Sequence, residues 1–139
     1  MMKSIGGVVA GLVAWIAVAT IGNVALRGAM TGYGEAEAAL RVAPPGGATA
    51  TLVTFTLAML VARLLLGAAS SVAAGATTAW IARGNPRASW IVGILLVVLF
   101  VAVHVWMWAR FPLWYHAAFL VSLLPCALLG AVLATRYRG

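Results

Sequence analysis

Apolar residues gather in four long runs along this chain, at residues 5–26, 49–82, 88–109 and 113–135. None of the runs contains an acidic residue. Each is long enough to cross the ~30 Å hydrocarbon core of a bilayer as a helix rising 1.5 Å per residue. The pattern predicts an all-α polytopic membrane protein, a single transmembrane domain of four helices in an antiparallel bundle. The second run is overlong. As one helix it would reach roughly 50 Å, and it carries one charge, Arg63.

Helix breakers separate the runs. An outer loop at residues 28–48 holds both acidic residues, Glu35 and Glu37, and ends in Pro44-Pro45-Gly46-Gly47. Within it, residues 35–42 (EAEAALRV) favour a short helix on the membrane surface, although a solvated connection is the expectation for such a loop. Asn85-Pro86 disfavours helix between the second and third runs, and Arg110-Phe111-Pro112 makes a tight hairpin before the fourth. At the start of the chain, Ala17-Val18-Ala19 fits a signal-peptide cleavage site, but the apolar run continues through Leu26. That is longer than a usual signal core, so a retained span is expected.

Composition narrows the function classes. Of 139 residues 65% are hydrophobic and 8% charged, against about 25% charged in an ordinary soluble domain. The length leaves no room for a second domain, and nothing in the composition points to a water-facing catalytic one. The net charge of +7 comes from dispersed Lys and Arg that flank the apolar runs. That is the pattern of membrane-protein loops and excludes nucleic acid as a partner. Abundant Arg and Ala point to a GC-rich bacterial genome, hence the inner (cytoplasmic) membrane. The single Cys126 permits no internal disulfide and no Cys-based metal motif.

Orientation follows from the basic residues. With the N-terminus inside, Lys3, Arg83, Arg87, Arg136 and Arg138 lie on the inner side, and Arg27, Arg41 and Arg110 on the outer. Both termini are therefore expected in the cytoplasm. Trp106, Trp108, Phe111, Trp114 and Tyr115 crowd the hairpin like an interfacial belt, and Trp80, Trp90 and Tyr137 mark the opposite interface.

Small residues predict the helix contacts, since helices in lipid associate by close backbone approach. Gly7, Gly11 and Gly22 share a face of the first span, Gly67 and Ser71 a face of the second, and Gly130 marks the fourth. The third span, mostly Val, Leu and Ile, is expected to face lipid or a partner.

Polar residues at depth supply the candidate site. Counted from the inner end, Arg63 lies roughly 29 Å up its helix, His104 roughly 24 Å and His116 roughly 29 Å. All three approach the outer boundary, where Glu35 and Glu37 are available partners for Arg63. A polar pocket of Arg63, His104, His116, Glu35 and Glu37 is therefore expected on the outer side. Two His without a third protein ligand make a poor haem or metal site, so no cofactor and no metal are expected. With no Asp in the chain and no catalytic elbow around Ser70 or Ser71, no enzyme is expected either. The leading expectation is a non-enzymatic accessory or assembly component, in the lipid bilayer and joined to copies of itself or to a membrane complex. The alternative is a small transporter, channel or lipid-binding protein with its site around Arg63, His104 and His116.

Overall fold

The computed structural model describes residues 2–42 and 55–137. Its regular elements are all helical: α1 (Met2–Ala29), α2 (Tyr33–Val42), α3 (Leu57–Ile81), α4 (Pro86–Trp106) and α5 (Leu113–Arg136). A single 3-10 turn, Trp108–Arg110, joins the last two. Four of the helices are long and apolar enough to cross a membrane, and α2 is not. The molecule is a helical membrane protein.

The four long helices alternate in direction. At one end, the turn end, Ser4 at the start of α1 accepts a hydrogen bond from Asn85 at the start of α4. At the other, the α2 end, the 3-10 turn meets α2 through Arg110, whose Nη1 donates to the Leu40 carbonyl. The most extensive interfaces are α3 with α5 and α3 with α1; α4 packs mainly on α5.

Glycine explains why α3 is the shared helix. A Cβ on Gly7 would lie 2.9 Å from the Thr78 carbonyl oxygen, and one on Gly11 2.8 Å from that of Ala74. Gly22 of α1 sits against Leu66 in the same seam. On the opposite side of α3, Gly67 receives the Phe119 ring, Gly75 the Ala127 backbone, and Gly130 of α5 the Val72 backbone. These approaches let dispersion act between backbones where lipid removes the hydrophobic drive. Ser70 and Ser71 remain buried in the seam by donating to the Leu66 and Gly67 carbonyls, each at 2.8 Å. By contrast α4 exposes Ile91, Ile94, Val98, Leu99 and Val101.

Local chemistry sets the ends of α3. Thr56 caps its N-terminus by accepting from the Met59 amide. At its C-terminus Arg83 and Gly84 both have left-handed φ, 54° and 77°, and the Gly84 amide reaches back to the Ala79 carbonyl. Such a turn stops the helix and turns the chain into α4, where Asn85 is the N-cap and Pro86 the first residue.

Three expectations change. The overlong second helix is corrected: Phe55 and Thr56 are non-helical, so the helix starts at Leu57, and residues 49–54 lie outside the described residues. At 25 residues it rises roughly 37 Å, ordinary for a tilted span. The third span stops at Trp106, with Trp108–Arg110 forming the separate turn. Finally, residues 33–42 are not a solvated connection. As α2 they bury Tyr33, Ala36, Glu37 and Leu40, which recur at the i, i+3, i+4, i+7 spacing of one helix face.

Candidate functional site at the α2 end

Docking of α2 builds the first half of the site. Tyr33, at its first turn, is fully buried against α1 and α3. A directed chain of hydrogen bonds passes through its hydroxyl. Arg63 Nη1 donates to Tyr33 Oη at 3.0 Å, Tyr33 donates to Asn23 Oδ1 at 2.7 Å, and Asn23 Nδ2 donates to the Ala19 carbonyl at 3.0 Å. Three helices are thereby tied at one point. The Arg63 guanidinium also lies 5.8 Å from the Tyr33 ring centroid and 5.1 Å from that of Phe55, within cation–π range. Tyr115 approaches it from α5. Arg63 Nε is buried with no acceptor among the described residues.

The carboxylates go elsewhere. Arg27 Nε donates to Glu37 at 2.6 Å and Arg41 Nη2 at 3.2 Å, while Glu35 is exposed. Neither reaches Arg63, which corrects the expected pairing. The reason is register: Glu37 is one helical turn before Arg41 and faces the end of α1, whereas Tyr33 occupies the approach to Arg63. The hydrogen bond from Arg27 holds the Glu37 carboxyl below the usual carboxylate range, despite burial, with Arg41 assisting. Burial pushes the Tyr33 phenol above its ordinary value, and the Arg63 charge opposes this only in part.

The second half of the site is a histidine pair. His104 on α4 and His116 on α5 are 3% and 1% exposed, and their Nδ1 atoms lie 2.7 Å apart. His116 Nε2 lies 3.2 Å from the Trp108 carbonyl in the 3-10 turn. Trp108 stacks on His116, while Phe119 and Tyr115 flank His104. This bonding pattern assigns the protons of the neutral pair. A carbonyl only accepts, so His116 Nε2 carries its proton and His116 Nδ1 is a lone pair. His104 Nδ1 is then the donor of the 2.7 Å bond. His104 Nε2 is left as a lone pair with no hydrogen bond among the described residues.

Between the two halves lies a cavity of about 130 Å³, walled by Asn23, Arg63, His104 and Tyr115. Its floor is aromatic. Trp15 meets Phe100 at 4.5 Å between ring centroids and Phe100 meets Phe119 at 5.2 Å. Below them Trp15 Nε1 donates to Ser71 Oγ.

Of the five expected site residues, Arg63 and His104 share the cavity wall and His116 stands one bond behind. Glu35 and Glu37 stand apart. Phe111 and Tyr115, expected in an interfacial belt, are buried, whereas Trp106, Trp108 and Trp114 are exposed. Asn23, Tyr33 and Tyr115 join the site in addition to the residues expected from the sequence. Asn23 was visible as the lone amide in the first apolar run, and Tyr33 as the first member of the α2 stripe. Among the described residues no group of three or more His, Cys, Asp or Glu comes together to hold a metal ion. No protein-family model, curated protein or solved structure matches this chain.

Proposed function

We propose that this is a non-enzymatic protein of the bacterial inner membrane that binds a small anion at the α2 end. The observation that carries this is the isolation of a charge. Arg63 is embedded among aromatic rings, and the chain's only two acidic residues, Glu35 and Glu37, form no ion pair with it. A cation taken from water without a counter-charge is costly, by several kcal/mol even after relaxation. An anion in the adjoining cavity would offset that cost through charge-assisted bonds to a guanidinium. The aromatic floor of Trp15, Phe100 and Phe119 favours a blind pocket over a path through the bundle. Excess basic residues at the turn end support cytoplasmic termini, with the site facing the outside.

The test is anion-linked stability at constant ionic strength, in lipid nanodiscs. A saturating anion stabilises the wild type by about 2.7 kcal/mol at a hundredfold excess over Kd. Arg63→Gln abolishes that increment. A wild type indifferent to chloride, hydrogencarbonate and phosphate would assign Arg63 to bracing α2 alone.

A role as accessory or assembly component is the second reading, supported by the aliphatic outward face of α4. Cross-linking in native membranes tests it. A strictly monomeric protein with no partner recovered counts against it.

A further inference from the structure

The proton assignment of the histidine pair restricts which anion fits, given the reading of the cavity as an anion site. The neutral pair presents a lone pair, His104 Nε2, on a residue of the cavity wall. An anion held by Arg63 against this wall brings acceptor oxygens toward another acceptor. Reversing both tautomers would put the His104 proton on Nε2 instead. However, it would place the His116 Nε2 lone pair against the Trp108 carbonyl at 3.2 Å. One end of the pair is thus always an acceptor facing an acceptor, unless one further proton enters.

We propose that the site selects a small oxyanion that keeps at least one hydroxyl, such as hydrogencarbonate or hydrogen phosphate. The anionic oxygen turns to Arg63 and the hydroxyl donates to His104 Nε2. Every group around the pair is consistent with this choice. Arg63 approaches from α3, His116 and Tyr115 from α5, and the uncharged Asn23 and Trp15 from α1. From α2, Tyr33 already directs its proton to Asn23. Among the described residues no carboxylate reaches the pair to supply or remove the extra proton. Size agrees as well: about 130 Å³ holds roughly four waters, enough for an anion of four or five heavy atoms.

An anion without a hydroxyl enters only with a proton added to the pair. That proton goes to His104 Nε2, and the Nδ1–H···Nδ1 bond survives as a charge-assisted one. A second proton would make both Nδ1 atoms donors and break it.

Hydrogencarbonate and nitrate make the comparison, because both are planar with four heavy atoms and only the first carries a hydroxyl. Calorimetric titrations are run at pH 8 on the full chain in zwitterionic nanodiscs, in two buffers of different ionisation enthalpy. Hydrogencarbonate is expected to bind about 10- to 100-fold more tightly than nitrate, because nitrate must bring a proton to an imidazole at pH 8, about 1.5 units above its ordinary value. Nitrate binding takes up one proton and hydrogencarbonate binding takes up none. In His104→Gln, whose amide can present either its oxygen or its NH2, the preference falls to within about threefold. If that variant does not fold, the proton counts on the wild type decide alone. Equal affinities without proton uptake overturn the selectivity and leave the anion site standing. No binding of either salt overturns both.

Discussion

Tyr33→Phe probes the junction on which the site depends. The ring keeps its place against α1, α3 and Phe55, so packing is preserved and only the hydroxyl is lost. Its removal costs Arg63 Nη1 its acceptor and Asn23 Oδ1 its donor, at the 3.0 and 2.7 Å positions. A hydrogen bond to a charged group contributes about 1.5–3 kcal/mol, and interhelical bonds in membranes average nearer 0.6. With both broken at once, we expect a loss of about 2 kcal/mol. The assay is unfolding free energy by steric trapping in bicelles, with hydrogen exchange on the α2 amides to localise the effect. Exchange should accelerate in α2 more than in α3 or α5, because this hydroxyl is one of the few ties of α2 to the bundle, beside Glu37–Arg27 and Leu40–Arg110. A double-mutant cycle with Asn23→Ala should return about 1 kcal/mol of coupling. A cost below about 0.5 kcal/mol with no coupling would refute the relay, the hydroxyl's role being filled by water.

Other outcomes follow from the same structure. Gly75→Val drives side-chain carbon into the Ala127 backbone and separates α3 from α5, a loss of about 3 kcal/mol or more seen as failure to accumulate in the membrane. Gly6→Ala, with nothing within 4 Å, is the neutral control. Because the Glu37 carboxyl is held low in the fold, its contribution is complete above about pH 5 and is lost as pH falls through the folded value. Hydrogen exchange of α2 should therefore accelerate in acid, and Glu37→Gln should remove that dependence at a cost of about 1 kcal/mol. The raised Tyr33 phenol acts with opposite sign: its contribution is complete below about pH 10 and is lost as pH rises through the folded value. Tyr33→Phe should show no such alkaline limb.

The spans were legible in the sequence because lipid imposes one strong rule, a continuous apolar run in which the helix satisfies its own backbone. Gly7, Gly11 and Gly67 were equally readable, since close approach needs a missing side chain. The α2 end was less readable for two reasons. Glu37 and Arg63 looked like partners from charge alone, whereas the choice among Arg27, Arg41 and Arg63 depends on how a ten-residue helix docks. Helix α2 itself has a short polar sequence, and only burial of Tyr33 and Leu40 distinguishes it from a surface turn. The two histidines were placed at similar depth by counting along separate helices. Their direct bond depends on the rotation of α4 against α5, which the residue count along either helix does not contain.

Arg63, buried without a carboxylate partner among the described residues, is proposed to hold an anion. The most direct measurement is the side-chain Nε–H resonance of Arg63 in 15N-arginine-labelled protein, titrated with hydrogencarbonate in nanodiscs at constant ionic strength. A saturable shift of that one resonance is expected, with the other arginines unmoved. A resonance that stays in place, or drifts linearly with salt along with the rest, would contradict it.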